Sequence, residues 1–303
     1  MQPDCPSSRR GERNVPDFQE FMKLAIEEAE ASLREGNSGF GAVIAQDGRI
    51  ISRAHDTEKT DLDPTAHAEL TAIRKAASLL GRHLDGCLIL STHEPCPMCA
   101  AAIVWSGIKE VGYGCSIKEA LEQGRKRIDL SCREIFERAG KSIAVHEGLL
   151  HDRCFVLYDR EVREQMDWLR DANEGAIRDK AAQITDQRLA WCRANQSLLS
   201  AETGDVVGSA YNLLLHKLNL TPEDAPILDR SSTHLRFASR NFCPTLEACR
   251  ILGLDTRVVC RILTEGPTNE FLRQMHPGLR FERNYETLRP HGDYCDETIL
   301  LVE

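Results

Sequence analysis

Two short stretches carry the residues best able to do chemistry, "DPTAHAEL" at 63–70 and "EPCPMCAAAI" at 94–103. Between them they supply one His, one Glu and two Cys: His67, Glu69, Cys96 and Cys99. One imidazole and two thiolates form a three-donor set suited to Zn2+, and they leave the fourth tetrahedral position open, as a catalytic rather than a structural site requires. Glu69 stands two residues after the histidine. It is read as a proton shuttle and not as a ligand. A lone Cys-x-x-Cys is often a structural zinc knuckle or a redox pair. A closed structural site, however, needs a second such pair, and Cys96/Cys99 is the only one in the chain. A redox pair has no need of an upstream His-x-Glu.

The elements that must position these groups follow from the punctuation around them. Asp63 is expected to cap a helix with Pro64 at its first position, and Pro97 to open the next helix. Both polar sets then lie in first helical turns, where unpaired N–H groups and the positive end of the dipole favour thiolates. Upstream, "DFQEFMKLAIEEAEASLREG" puts Phe18, Phe21, Met22, Ala25, Ala29 and Leu33 at helical spacing, with Asp17 as cap and Gly36 as stop. "FGAVIAQDGRIISRA" reads as two antiparallel strands about an Asp47-Gly48 turn. "GCLILST", "KEVGYG" and a short run near "SIAVH" read as further strands, and "CREIFERAG" as a helix. The alternation predicts an α/β fold with a mixed sheet and helices on its faces, over about residues 17–160. Residues 1–16, polar and Pro-rich, are expected to be a disordered leader and not a signal peptide. A helical linker is expected over 161–200, and a mostly helical α+β C-terminal domain over 201–303.

Composition narrows the classes. The chain has 303 residues, 42% hydrophobic and 28% charged, the profile of a globular protein long enough for about two domains. No apolar run approaches the roughly 20 residues that span a bilayer. The twelve cysteines are scattered, several within helical apolar patterns, which fits reduced thiols and a cytoplasmic setting. The formal charge of −9 weighs against nucleic acid as a partner, since that affinity rests on Lys and Arg contacts to phosphate. "GRKRID" at 124–129 is the one small basic cluster near the motifs.

The order His-x-Glu … Pro-Cys-x-x-Cys is the signature of zinc-dependent deaminases of nucleobases. "FGAVIAQDG", "DPTAHAELTAIR" and "STHEPCPMCAAAIVWSGIKEV" resemble the cytidine deaminase-like superfamily, in particular its guanine deaminase, cytosine deaminase and tRNA adenosine deaminase branch. The resemblance covers about half the chain. It implies a three-layer α/β/α sandwich on a five-stranded sheet, a homodimer or larger assembly, and exchange of an exocyclic amine for oxygen. It assigns zinc to His67, Cys96 and Cys99, and the proton shuttle to Glu69. It sets Asn37 and Phe40 of "NSGFG", the Ala68 backbone and Asp56 at substrate positions. Two departures stand out: Gly39 replaces a proline of the loop, and Asp56 stands seven residues before Asp63 where an Asn is usual. An Asn amide donates to a ring carbonyl, whereas an ionised Asp only accepts. The competing reading of Asp56 is one charge among several in the solvated loop "HDTEKTDLD".

Three functional classes follow. The preferred one is a deaminase of a small aminated heterocycle, guanine deaminase-like. The second is a tRNA adenosine deaminase, which "DPTAHAE" and "HEGLLHDRC" also resemble. The third is a non-catalytic zinc-scaffolded module, against which the intact Glu69 argues. In the C-terminal part, Cys243, Cys249, Cys260 and Cys295 with His234 and His276 lack metal-ligand spacing, and core packing is preferred for them.

Overall fold

Helix α1 (Phe18–Arg34) turns its Met22, Ala25, Ile26, Ala29 and Leu33 face inward, the i, i+3, i+4 spacing of an amphipathic helix. It packs on β1 (Gly41–Gln46) and β2 (Arg49–His55), an antiparallel pair joined at Asp47 and Gly48. Those two residues have φ of 49° and 75°. Positive values at both are what the tight hairpin turn requires. The computed structural model describes residues 18–200 and 204–302. The leader expected over 1–16, and the cap expected at Asp17, lie outside the described residues.

The first unit continues with α2 (Ala68–Leu80), β3 (Cys87–His93), α3 (Pro97–Ser106), β4 (Glu110–Cys115), α4 (Ile117–Glu122), α5 (Cys132–Arg138), β5 (Ala144–His146) and α6 (His151–Val156). The five strands lie in the order β2-β1-β3-β4-β5, with β1 antiparallel to β2 and β3, and β3, β4 and β5 parallel. The α/β class, the mixed five-stranded sheet and its flanking helices agree with expectation. Ala42, Ile44, Ile89, Val111 and Tyr113 of one sheet face join Ala72 and Ala76 of α2, Ala100 and Ile103 of α3, and Phe136 of α5 in one core. The opposite face takes α1 and α6, and the backbone approaches closely there. A Cβ on Gly41 would sit 2.0 Å from the carbonyl oxygen of Ala25, and one on Gly114 would sit 2.3 Å from Cys154 Sγ. Glycine is what lets both helices lie on the sheet.

One boundary differs. Asp63 does not cap a helix that starts at Pro64. Its carboxylate instead accepts from Thr65 N and Thr65 Oγ1, both at 2.8 Å. Those bonds close a local turn of the kind Asp favours. The chain then stays extended through His67 (φ −72°, ψ 152°), and α2 begins at Ala68.

The second unit starts at Arg160. It includes α7 (Arg160–Leu169) and α8 (Glu174–Ala194), the stretch read from sequence as a linker. It continues with α9 (Val206–Leu218), β6 (Ile227–Arg230), β7 (His234–Ser239), α10 (Pro244–Leu252), α11 (Thr256–Cys260), a π-helical turn (Arg261–Glu265), α12 (Gly266–Leu272), β8 (Leu279–Arg283) and β9 (Cys295–Leu301). The strands form a separate antiparallel sheet, β6-β7-β9-β8. Val207, Ala210 and Leu214 of α9 and Phe271 of α12 pack against Leu235, Phe237, Phe281 and Ile299 of that sheet. Cys249, Cys260 and Cys295 are buried. Together with Cys243, His234 and His276 they form no group close enough to hold a metal among the described residues. Among the described residues no helix is long and apolar enough to cross a membrane.

Candidate active site

The extended backbone before α2 and the proline that opens α3 turn two helix starts toward each other. His67 is the N-cap residue of α2 and Cys96 that of α3, with Pro97 at the first position and Cys99 in the first turn. His67 Nδ1 lies 3.5 Å from Cys96 Sγ and 3.6 Å from Cys99 Sγ. A tetrahedral ion with bonds of about 2.3 Å to sulfur and about 2.0–2.1 Å to nitrogen holds such donors about 3.6 Å apart, so the three residues fit zinc. Donation from Cys99, and secondly from His67, holds the Cys96 thiol down to about 4.

Glu69 lies in the first turn of α2, 5% exposed, and its Oε1 accepts from Ser91 Oγ of β3 at 2.9 Å. Burial, and next the charge of Cys96, raises its carboxyl above the ordinary range. A carboxyl moved toward neutrality in this way is suited to accept and return a proton. His67, Cys96 and Glu69 line a cavity of about 150 Å³.

Phe40 forms part of the same wall. Its ring stacks on Tyr158 at 5.4 Å and meets His93 edge-on at 5.5 Å. Both are favoured arrangements for aromatic pairs. Gly39, just before it, has φ of +82°. That conformation is closed to the proline usual at this position in the resembled family. His93 Nδ1–H donates to the Glu94 carbonyl at 3.0 Å, and burial takes its pKa down to about 4. The ring is therefore neutral. The Glu94 carboxylate accepts from the backbone N–H of Ile117 at 2.9 Å and of Cys132 at 2.8 Å, the first residues of α4 and α5. Negative charge is favoured at such helix starts. Between those helices Arg125 and Arg127 reach the cavity, with the Arg127 guanidinium 5.2 Å from the Phe40 ring centre. That is within reach of a cation–π attraction. Arg127 Nη2 is buried and has no partner among the described residues.

The remaining sequence candidates fare differently. Asp56 is fully buried, which removes the solvated-loop reading, and it lies behind the cavity wall, of which its neighbours Glu58 and His67 are part. Its backbone N–H donates to Phe40 O at 2.9 Å, and Oδ1 accepts from Ser38 N at 3.4 Å. Oδ2 has no partner among the described residues. Burial is the main cause that raises the Asp56 carboxyl. Carboxylate oxygens of Asp56 and Glu58 and a ring nitrogen of His67 lie within 4.8 Å of one another. Asn37 is a correction: it is absent from the cavity wall, because its amide is committed elsewhere. Its Nδ2 donates to Thr60 Oγ1 at 3.1 Å, and its Oδ1 accepts from Lys59 N and Thr60 N at 3.2 and 3.0 Å. It ties the end of α1 to the turn after Asp56. Ala68 is also absent from the wall, and its side chain is in the core beneath α2. Sequence reasoning did not assign Ser91, His93, Glu94, Tyr158 or the two arginines to the site. "GRKRID" was the available signal for the arginines, and "HE" directly before the cysteines for His93 and Glu94.

The description "Cytidine and deoxycytidylate deaminase zinc-binding region" matches residues 16–115. The chain is 46% identical over 106 residues to a guanine deaminase of Bacillus subtilis, covering 34% of this chain and 68% of that protein. It is 42% identical over 149 residues to a tRNA-specific adenosine deaminase of the same organism, covering 48% and 90%. The X-ray structure of guanine deaminase from Bacillus subtilis aligns with 36% of this chain and 71% of that one, at 44% identity and a TM-score of 0.34. The family match includes none of the second unit.

Proposed function

Because the chain belongs, through residues 16–115, to the cytidine and deoxycytidylate deaminase zinc-binding family, we propose that it is a zinc-dependent hydrolase that replaces an exocyclic amine of a small aminated heterocycle by oxygen, guanine deaminase-like, and releases ammonia. The observation that carries this reading is the buried Glu69, held by Ser91 in the wall of the cavity that His67 and Cys96 also line. Zinc held by His67, Cys96 and Cys99 supplies the Lewis acidity that brings the pKa of a water toward neutrality. Phe40 offers a face for the planar ring, backed by Tyr158. Glu69 takes the water's first proton and returns it to the ring nitrogen beside the attacked carbon, then takes the second from the hydroxyl now on that carbon and delivers it to the amine as the C–N bond breaks. Water and an amidine thus give a lactam and ammonia.

A tRNA adenosine deaminase is the second reading, and two observations favour it. The tRNA-specific relative is matched over 90% of its length, and Arg125 and Arg127 put two positive charges at the cavity. Both withdraw the expectation against nucleic acid drawn from net charge, because a local pair of guanidiniums binds phosphate whatever the overall balance. Ammonia release across guanine, cytosine, adenine, their nucleosides, pterins and aminated triazines, beside inosine formation in an anticodon stem-loop, separates the two. Guanine is expected to react and the RNA to yield no inosine, with RNA binding that is weak and steeply salt-dependent. Inosine would replace the first reading with the second.

We propose a homodimer as well. Trp105 on α3 is 77% exposed. A second copy would cover this apolar ring. Sedimentation velocity is expected to give twice the chain mass and Trp105→Glu to lower it to one; a native monomer ends the proposal.

A further inference from the structure

A second cavity, of about 170 Å³, lies in the second unit, with walls from α8, α9, α10, the π-helical turn and strands β7 to β9. Its charged wall residues are Arg188, Arg283 and Arg289 against Glu297 alone, three positive charges to one negative, in a chain whose net charge is −9. The single carboxylate is already engaged. Glu297 pairs with Arg283 and accepts from Ser239 Oγ at 2.6 Å. The Arg283 side chain is 9% exposed, and its Nε–H has no acceptor among the described residues. Arg188 Nη1 donates to the neutral hydroxyl of Thr268 at 2.6 Å. Arg289 donates to Asn241 O at 2.9 Å. Two of the thiols in the wall do not supply the missing negative charge, since burial pushes Cys260 up to about 12 and raises Cys243, while the Sγ of the third, Cys295, accepts from Arg289 Nε at 3.3 Å. Burial, and then the neighbouring charge of Arg283, brings Arg188 down to about 10.

Buried cations without a counter-charge cost several kcal/mol, and a guanidinium fork matches a carboxylate or a phosphate in two-point geometry. The rest of the wall is largely apolar, with Leu214, Phe237 and Leu246. The π-helical turn that contributes Thr264 is a rare backbone form, frequent at functional sites. We propose that the second unit binds a small organic anion here, its carboxylate or phosphate held by Arg188 and Arg283 and its apolar body by Leu214, Phe237 and Leu246. This site is separate from the deaminase reading and does not depend on it.

Isothermal titration calorimetry on the zinc-loaded full chain tests this with benzoate, inorganic phosphate and the neutral benzamide. At least one of the two anions is expected to bind with one site per chain, benzoate at least tenfold more tightly than benzamide if the head is a carboxylate, phosphate alone if it is a phosphate. Arg188→Gln, at a half-buried position, is expected to weaken that binding at least tenfold with zinc content and circular dichroism unchanged. Arg283→Met is expected to do the same, and should it unfold the unit, Arg188→Gln carries the test. The proposal is overturned if neither anion binds, if benzamide equals the binding anion, or if Arg188→Gln leaves the affinity intact.

Discussion

Glu69→Ala is expected to retain one zinc per chain and to lose turnover by about 10⁴-fold or more, the upper end of what one positioned acid–base group contributes. The size follows from Glu69 serving twice, taking a proton from water and delivering one to the leaving amine. Among its neighbours, Ser91 donates to it, and His93 uses its Nδ1–H on the Glu94 carbonyl. Zinc is retained because the imidazole and both thiols keep their 3.5 and 3.6 Å separations without the carboxylate. Metal analysis by mass spectrometry, beside a steady-state assay on the substrate the native protein turns over, reads both quantities. Zinc loss in the variant, or activity near the native level, would sink the assignment of Glu69 as a shuttle.

Asp56→Asn is expected to change the ranking of substrates by about two powers of ten or more, since a site built to hydrogen-bond one partner rejects another far more strongly than shape alone does. Asp56 is fully buried beside Glu58 and His67, with Oδ2 unpartnered among the described residues. Facing a ring N–H or hydroxyl, its carboxyl makes a charge-assisted bond stronger than the amide's. Facing a carbonyl, it costs affinity. The substitution is therefore expected to lower kcat/KM on the native substrate and to raise it on a base that presents a carbonyl there, such as cytosine. Both constants on two substrates, with zinc content checked, decide the matter. An unchanged ranking would place substrate choice elsewhere.

What was legible in the sequence was short-range. The hairpin at Asp47-Gly48, the strand Cys87–His93 and the proline opening α3 are set by residues a few positions apart. So is the approach of Glu69 to the metal-binding set, because His67 and Glu69 flank one helix start. What was not legible depends on groups far apart in the chain. The resemblance set Asn37 of "NSGFG" at a substrate position, but its amide is taken by Lys59 and Thr60, more than twenty residues on. Pro64 looked like a helix start, and the Asx turn of Asp63 delays the helix to Ala68. Arg125 and Arg127 follow a six-residue helix with too little periodicity to mark a wall. In the second unit, β7 pairs with β9 some sixty residues later, and Arg283 and Glu297 read as surface charges until β8 and β9 are set side by side.

The Glu94 carboxylate, with one oxygen on the first amide of α4 and the other on the first amide of α5, fastens both ends of the stretch 117–132 to the strand that leads into the metal-binding cysteines. That stretch is in effect an exchangeable cassette. Ile117 and Ala120 anchor it in the interior, Arg125 and Arg127 put its charge at the cavity, and no ligand or proton shuttle lies within it, so changes between the fastenings can leave Cys96 and Cys99 in place. The division gives a lineage, or an engineer, a way to revise which molecules are admitted without reopening the question of how they are transformed.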